Sequence, residues 1–201
     1  MIGGVTENRL AQQIAFLVLA DRLKTVIRRT PLTDNSRLEN AAEHSWHLAL
    51  AALALGEHAP AGVDMNRVVQ LVVIHDLVEI DAGDTFAYDP AAHATKEERE
   101  RAAADHLFGL LPSDQCARFR ALWDEFEAQS TLEARFANAL DRFQALLLNS
   151  EAGGGSWATH HVRRSQVMTR MAPVEVTLPS LWPYVLAVID GACDSGAIVR
   201  D

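Results

Sequence analysis

Residues 71–84 read Leu-Val-Val-Ile-His-Asp-Leu-Val-Glu-Ile-Asp-Ala-Gly-Asp. The first four are apolar on every side, so at helical length the segment belongs inside the protein. It then places His75 beside Asp76, with Glu79 four residues after the histidine. A buried carboxylate without a partner costs several kcal/mol, roughly, even after relaxation. The chain must therefore bring Asp76 a cation, a hydrogen-bond network or a metal ion, and that requirement constrains the fold.

The 201 residues suit one domain, 1–201, with a core over about 22–151 and a helical appendage over about 157–201. Apolar residues make up 49% and aromatics only 6%, which favours helix packed on helix. We expect an all-α chain, a compact helical bundle with its polar site between central helices. The net charge of −9 argues against binding a nucleic-acid polymer, because phosphate contacts need Lys and Arg. A small anionic substrate met by one or two local arginines remains compatible with it. Cys116 and Cys193 lack metal-ligand spacing and read as reduced thiols. The apolar run Ile14 to Ala20 is short and ends at Asp21, so it reads as a core helix and not as a signal or membrane span. The expected location is cytoplasmic, with no membrane partner.

Periodicity predicts a first helix from Glu7 to about Arg28, closed by a turn at Pro31. Arg28 and Arg29 then read either as helix-end charges or as anion ligands. Asp34-Asn35-Ser36 is a capping cluster for a second helix, about Arg37 to Glu57. Asp64 caps a third, ending near Asp81, where Gly83 permits a turn. A polar loop leads to a charged helix from Thr95, and Pro112 separates it from a helix beginning at Ser113 or Asp114. Ser130 or Thr131 opens a helix to about Glu151. Gly153-Gly154-Gly155 breaks the chain. A short helix over 160–171, an extended Pro173–Pro179 stretch and a last helix from Leu181 to Cys193 complete it. No strong strand pattern is present.

Three helices each carry a polar group in an apolar setting: His44 on the second, His75-Asp76 on the third, and Asp141 on the helix from Thr131. Asp141 has Ala137 and Ala145 four residues to either side, a small face that allows close helix approach. Two imidazoles and two carboxylates from three helices form a mixed N/O set suited to Mn, Fe, Co, Ni or Zn.

The order His44 … His75-Asp76 … Asp141 resembles the HD-domain metal-dependent phosphohydrolases. Within them, Arg37-Leu38-Glu39-Asn40-Ala41-Ala42-Glu43-His44-Ser45 resembles the first-histidine motif of the 5'-deoxynucleotidase branch. His75-Asp76-Leu77-Val78-Glu79 with Gly83-Asp84 resembles its central motif. Trp123-Asp124-Glu125-Phe126-Glu127, Thr131-Leu132-Glu133-Ala134-Arg135-Phe136 and Leu140-Asp141 resemble its last metal motif. The likeness runs from about Arg22 to Glu151.

The resemblance implies a helical fold with one divalent ion (Mn, Co, Fe, Ni, Zn or Mg) held by His44, His75, Asp76 and Asp141. It implies phosphate release from (deoxy)nucleoside 5'-monophosphates by a metal-activated water, usually in a homodimer. Glu79 carries over as a catalytic acid/base and Asp84 as a residue near the attacking water. Arg29 stands where the branch has an arginine near the phosphate, with Arg28 as the second candidate. Thr30 departs from the tryptophan that one bacterial branch places near the sugar. The chemistry is consistent: a phosphate monoester is a dianion, and a metal ion screens that charge and acidifies water. Trp157, after the triple glycine, is the aromatic residue to inspect for contact with a nucleobase. Trp46, Trp123 and Trp182 read as core or dimer contacts.

Three rivals remain at this stage. One is an HD-type hydrolase of another phosphorylated metabolite. A two-metal HD-type oxygenase would need further ligands, for which His47, His93 and His106 are the nearby supply. A metal-stabilised nucleotide-binding or scaffold protein would need the ligands but neither Glu79 nor Asp84.

Overall fold

The computed structural model describes the backbone of residues 3–201 and the side chains from Asn8 onward. Helix dominates among these residues. In chain order the helices are α1 (Gly3–Ala20), α2 (Ala41–Ala54), α3 (Met65–Ile74), α4 (Glu79–Ala82), α5 (Pro90–His93), α6 (Lys96–Gly109), α7 (Ser113–Ala128), α8 (Leu132–Glu151), α9 (Gly155–Thr159), α10 (Arg164–Thr177) and α11 (Trp182–Asp194). Two short strands, β1 (Ile27–Pro31) and β2 (Leu38–Asn40), form an antiparallel pair. No described helix is long and apolar enough to cross a membrane.

The strands correct the expected first helix. Helix α1 ends at Ala20, a 3-10 turn covers Asp21–Thr25, and Arg28 and Arg29 lie on β1. Neither arginine is a helix-end charge. The second helix also starts later than expected. Residues 38–40 pair with β1, and Asn40 caps α2 by accepting from the Glu43 amide (3.0 Å) while the Glu43 carboxylate accepts from the Asn40 amide (3.1 Å). Asp34-Asn35-Ser36 forms the hairpin turn, with Asn35 at φ 58°. A residue with strong capping chemistry also serves turns, and strand pairing decided which role it took here.

A second correction falls in the opening stretch. The α3 helix stops at Ile74, and the chain passes through tight turns before α4. The Leu77 amide bonds to the Ile74 carbonyl, and the Glu79 amide to that of Asp76. Such i to i+3 bonding is the tighter relative of the α-helix and is frequent at helix ends. Gly83 follows at φ 76°, a left-handed turn that favours glycine.

The core sits where α8 meets α2, α3, α7 and α10. Leu48, Val68, Leu71, Val72, Ala134, Phe136, Ala137 and Leu140 are fully buried there. The C-terminal helices add Val167, Met171, Val174, Leu178, Val185 and Ile189 to the same hydrophobic cluster. This burial explains the third correction: α10 continues through Pro173, where an extended stretch was expected. A mid-helix proline costs about 3 kcal/mol. The buried Met171, Val174 and Leu178 around it outweigh that cost, at about 1.5–3 kcal/mol for each large apolar side chain buried.

The triple glycine has a packing role. A Cβ on Gly155 would lie 2.8 Å from Pro31 Cγ and 2.6 Å from Asn149 Oδ1. Only glycine lets α9 press against β1 and so close one side of the cleft. Asn149 secures the turn, its Oδ1 accepting from the Ser156 amide (2.7 Å) and hydroxyl (2.8 Å).

Candidate metal centre and cleft

Helix α2 presents His44, the turn after α3 presents His75 and Asp76, and α8 presents Asp141. His44, His75 and Asp141 offer ligand atoms that all lie within 4.8 Å of one another. His44 Nε2 is 3.1 Å from Asp141 Oδ1 and 3.8 Å from Asp76 Oδ2. His75 Nε2 is 2.9 Å from Asp76 Oδ1. Asp76 thus adjoins the three-residue group from the side.

The other nitrogen of each imidazole is committed elsewhere. His44 Nδ1–H donates to Gln144 Oε1 (3.1 Å) and His75 Nδ1–H to the Val72 carbonyl (2.8 Å). That leaves Nε2 of each ring facing the acids, as the atom through which the imidazole can bind a cation once its proton is displaced. Both Nε2 atoms are buried and make no hydrogen bond. An orphaned buried polar atom is uncommon and asks for a physical reason. Two such nitrogens converging with a carboxylate fit a divalent cation, and the N/O donor set suits the transition metals named above.

Arg28 lies across these acids. Its Nη1 donates to Asp76 Oδ2 at 2.9 Å, its Nη2 is 3.9 Å from Asp141 Oδ1, and its Nε is 3.3 Å from Glu39 Oε2. The guanidinium is therefore one partner that Asp76 required. Arg29, next along the strand, is exposed, as strand alternation demands. Both arginines line the cleft. Thr30 is buried beside them.

Charge sets the acids apart. Burial pushes Asp76 and Asp141 up, but His75 with Arg28, and His44 with Arg170, outweigh it and hold both well below the usual carboxylate range. Glu79 goes the other way. Its burial, followed by repulsion from Asp76, raises it well above an ordinary glutamate. Its Oε2 is buried and unbonded. Asp84 is also raised, by burial and then by Asp76.

The cleft has a volume of about 240 Å³, with Glu79, Asp84 and Trp157 in its wall. Trp157 is 2% exposed and lines the cleft with Tyr88. Its ring forms part of a packed wall, not an open stacking platform.

Other residues enter that sequence reasoning did not single out. Gln144, three residues beyond Asp141, joins His44 to Glu39 by donating to Glu39 Oε1 (2.9 Å) and to His47 Nδ1 (3.1 Å). Its signal was the i+3 spacing from Asp141. Arg170 reaches Asp141 from α10 (3.3 Å), and Arg142 and Lys96 line the cleft. Of the three histidines considered for a second metal, His47 bonds Gln144, His93 lines the cleft, and His106 pairs with Asp81 on the surface.

Comparison with known proteins places this arrangement. The chain is 34% identical over 140 residues to the 5'-deoxynucleotidase HDDC2 of Bos taurus, covering 69% of this chain and 66% of that one, just under two thirds of the relative's length. The human protein of the same name is 32% identical over 139 residues, covering 69% and 67%. A crystal structure from Magnetospirillum magnetotacticum, described as a predicted metal-dependent phosphohydrolase, superposes with a TM-score of 0.92 at 51% identity, covering 96% and 97%. A conserved hypothetical protein from Pyrococcus furiosus shares the fold, with a TM-score of 0.58 at 21% identity, covering 89% and 97%. The HD domain profile matches residues 20–182, and the chain belongs to the HD domain family.

Proposed function

We propose that this chain is a metal-dependent HD-type phosphohydrolase that releases phosphate from (deoxy)nucleoside 5'-monophosphates. His44, His75, Asp76 and Asp141 hold one divalent ion. The observation that carries the reading is the pair of buried, unbonded Nε2 atoms of His44 and His75 facing Asp141. The relatives' names supply the substrate class. When bound, the ion supplies charge neutralisation at the phosphate and a lowered pKa for water.

The chain's own groups do the rest. Arg28 and Arg29 bind phosphate oxygens with their planar forks. Asp84, with its raised pKa, takes a proton from the attacking water as the new P–O bond forms. Glu79, which burial and Asp76 make hold its proton more tightly than an ordinary glutamate, gives that proton to the sugar 5'-oxygen as the old P–O bond breaks. Trp157 and Tyr88 wall the cleft on the nucleoside side and keep water out. One domain that includes α9 to α11 is part of this proposal, supported by the shared core of α8, α10 and α11. So is a homodimer. Leu10, Ile14, Leu17 and Val18 of α1 stay more than half exposed and form an apolar row that a second copy would cover.

The test is phosphate release from a panel of nucleoside mono-, di- and triphosphates with Mn, Co, Mg or Zn, run beside metal titration. Monophosphates are expected to turn over. Glu79→Ala should abolish release without loss of metal, and Asp141→Ala should lose the metal equivalent. Unchanged release in Glu79→Ala refutes the mechanism, and full-affinity metal binding by Asp141→Ala refutes the ligand set.

A further inference from the structure

A second cavity of about 480 Å³ lies between the loop after Gly83 and α10. Arg142 of α8 and Arg170 of α10 line both spaces. In a chain with net charge −9, five of the 18 Lys and Arg side chains gather on the main cleft: Arg28, Arg29, Lys96, Arg142 and Arg170. Carboxylates account for three of them. Arg28 lies on Asp76, Lys96 on Glu100 (2.8 Å) and Arg170 on Asp141.

Arg142 is different. It bonds only to its own helix, to the Asn138 carbonyl (3.2 Å) and side-chain oxygen, and forms no ion pair among the described residues. It is half-buried. Arg170 is already paired with Asp141, so of the two it is Arg142 whose guanidinium has no carboxylate partner among the described residues. An oxyanion bound beside Arg142 gives it the partner it lacks, and the planar fork of arginine suits a phosphate. The outer cavity adds neutral donors, the hydroxyls of Ser165 and Thr169 and the Gln166 amide. Arg142 follows Asp141 in the chain, so this cationic corner adjoins the metal centre but opens away from it.

We infer that Arg142 and Arg170 form a second anion subsite, which takes a second phosphoryl group carried by the nucleotide at a position other than the one hydrolysed. The inference rests on the phosphohydrolase reading above and narrows its substrate to nucleotides with two phosphoryl groups. The subsite holds that group without reacting with it, since no acid or base of the metal centre faces the outer cavity.

The test compares a nucleoside 5'-monophosphate, the matching 3',5'-bisphosphate and inorganic phosphate by calorimetric titration of the metal-free full chain. The bisphosphate should bind at least about tenfold tighter than the monophosphate, the worth of one charge-assisted contact. Arg142→Met should bring the two to parity, and Arg142→Lys should restore part of the difference. Inorganic phosphate that binds through Arg142 without displacing the monophosphate supports the subsite and names free phosphate as its ligand. Equal affinities in the unmodified chain overturn the inference, and so does a difference that survives Arg142→Met. Equal weakening of both nucleotides by Arg142→Met also overturns it, because Arg142 then serves the reacting phosphate. Monophosphate turnover by the Mn-loaded chain is measured in parallel. Turnover without a bisphosphate advantage removes the subsite alone, and an advantage without turnover removes the reaction alone.

Discussion

Gln144 is the residue through which the proposed metal centre can be tested without touching a ligand. Its side chain is 1% exposed. Its Oε1 accepts from His44 Nδ1, and its Nε2 donates to Glu39 Oε1. Gln144→Leu keeps the volume and removes these two bonds together with the one to His47 Nδ1. The His44 N–H and the Glu39 oxygen are then buried and unpaired, at about 1–3 kcal/mol each. The metal-free variant should lose about 2–5 kcal/mol by urea unfolding, part of it offset by the apolar leucine. That loss leaves most domains folded, given typical stabilities of about 5–15 kcal/mol. The second effect is on the ion. A ligand histidine released from its partner typically loses about 10–100-fold in metal affinity. By linkage, the stabilisation given by a fixed excess of Mn2+ should shrink by about 1.4–2.7 kcal/mol. Unfolding with and without Mn2+ reads both numbers on one sample. Gln144→Glu keeps an acceptor for His44 and should keep most of the affinity, while its new carboxylate beside Glu39 costs stability. If Gln144→Leu kept the full Mn2+ stabilisation, His44 would not be oriented through Gln144, and the assignment of its free Nε2 to a metal would fall.

Two further outcomes follow from the same geometry. Glu79 is raised by burial and by Asp76, so the folded metal-free chain holds this proton more tightly than the unfolded chain. The unfolded state loses it near pH 4.5, and stability should therefore fall as pH rises from there to the folded pKa, then level off. Glu79→Gln should gain on the parent across that window in urea melts, and a constant difference from pH 4.5 to 8 would show that Glu79 titrates normally. Gly155→Ala should cost about 1–3 kcal/mol in thermal melts through overpacking, because its Cβ meets Pro31 and Asn149 at under 3 Å. Unchanged stability would mean that α9 does not press on β1 in solution.

Much of the helical framework was legible in local patterns. Thr131 before α8 and Asp64 before α3 cap as their side chains dictate, accepting from Ala134 N (3.1 Å) and Asn66 N (2.9 Å). The breaks at Pro112 and at the triple glycine also stand in the structure. The strand pair did not announce itself, because five and three residues carry too little periodicity to outvote the helix pattern around them. Pro173 misled for the opposite reason: its local rule is strong, and distant core contacts overrode it.

The stretch around His75-Asp76 shows where the division falls. The sequence by itself determined that an acid would be buried there, and that His44 and Asp141 were the polar groups on neighbouring apolar helices. Side-chain type and helical spacing are local properties and can be read without coordinates. Only the tertiary structure decided which partners arrived: Arg28 from a strand 48 residues away, Gln144 behind His44, and Arg142 with Arg170 beyond Asp141. Those pairings depend on how α8 packs against α2, β1 and α10, and no periodicity along the chain records which distant side chains a buried charge will meet.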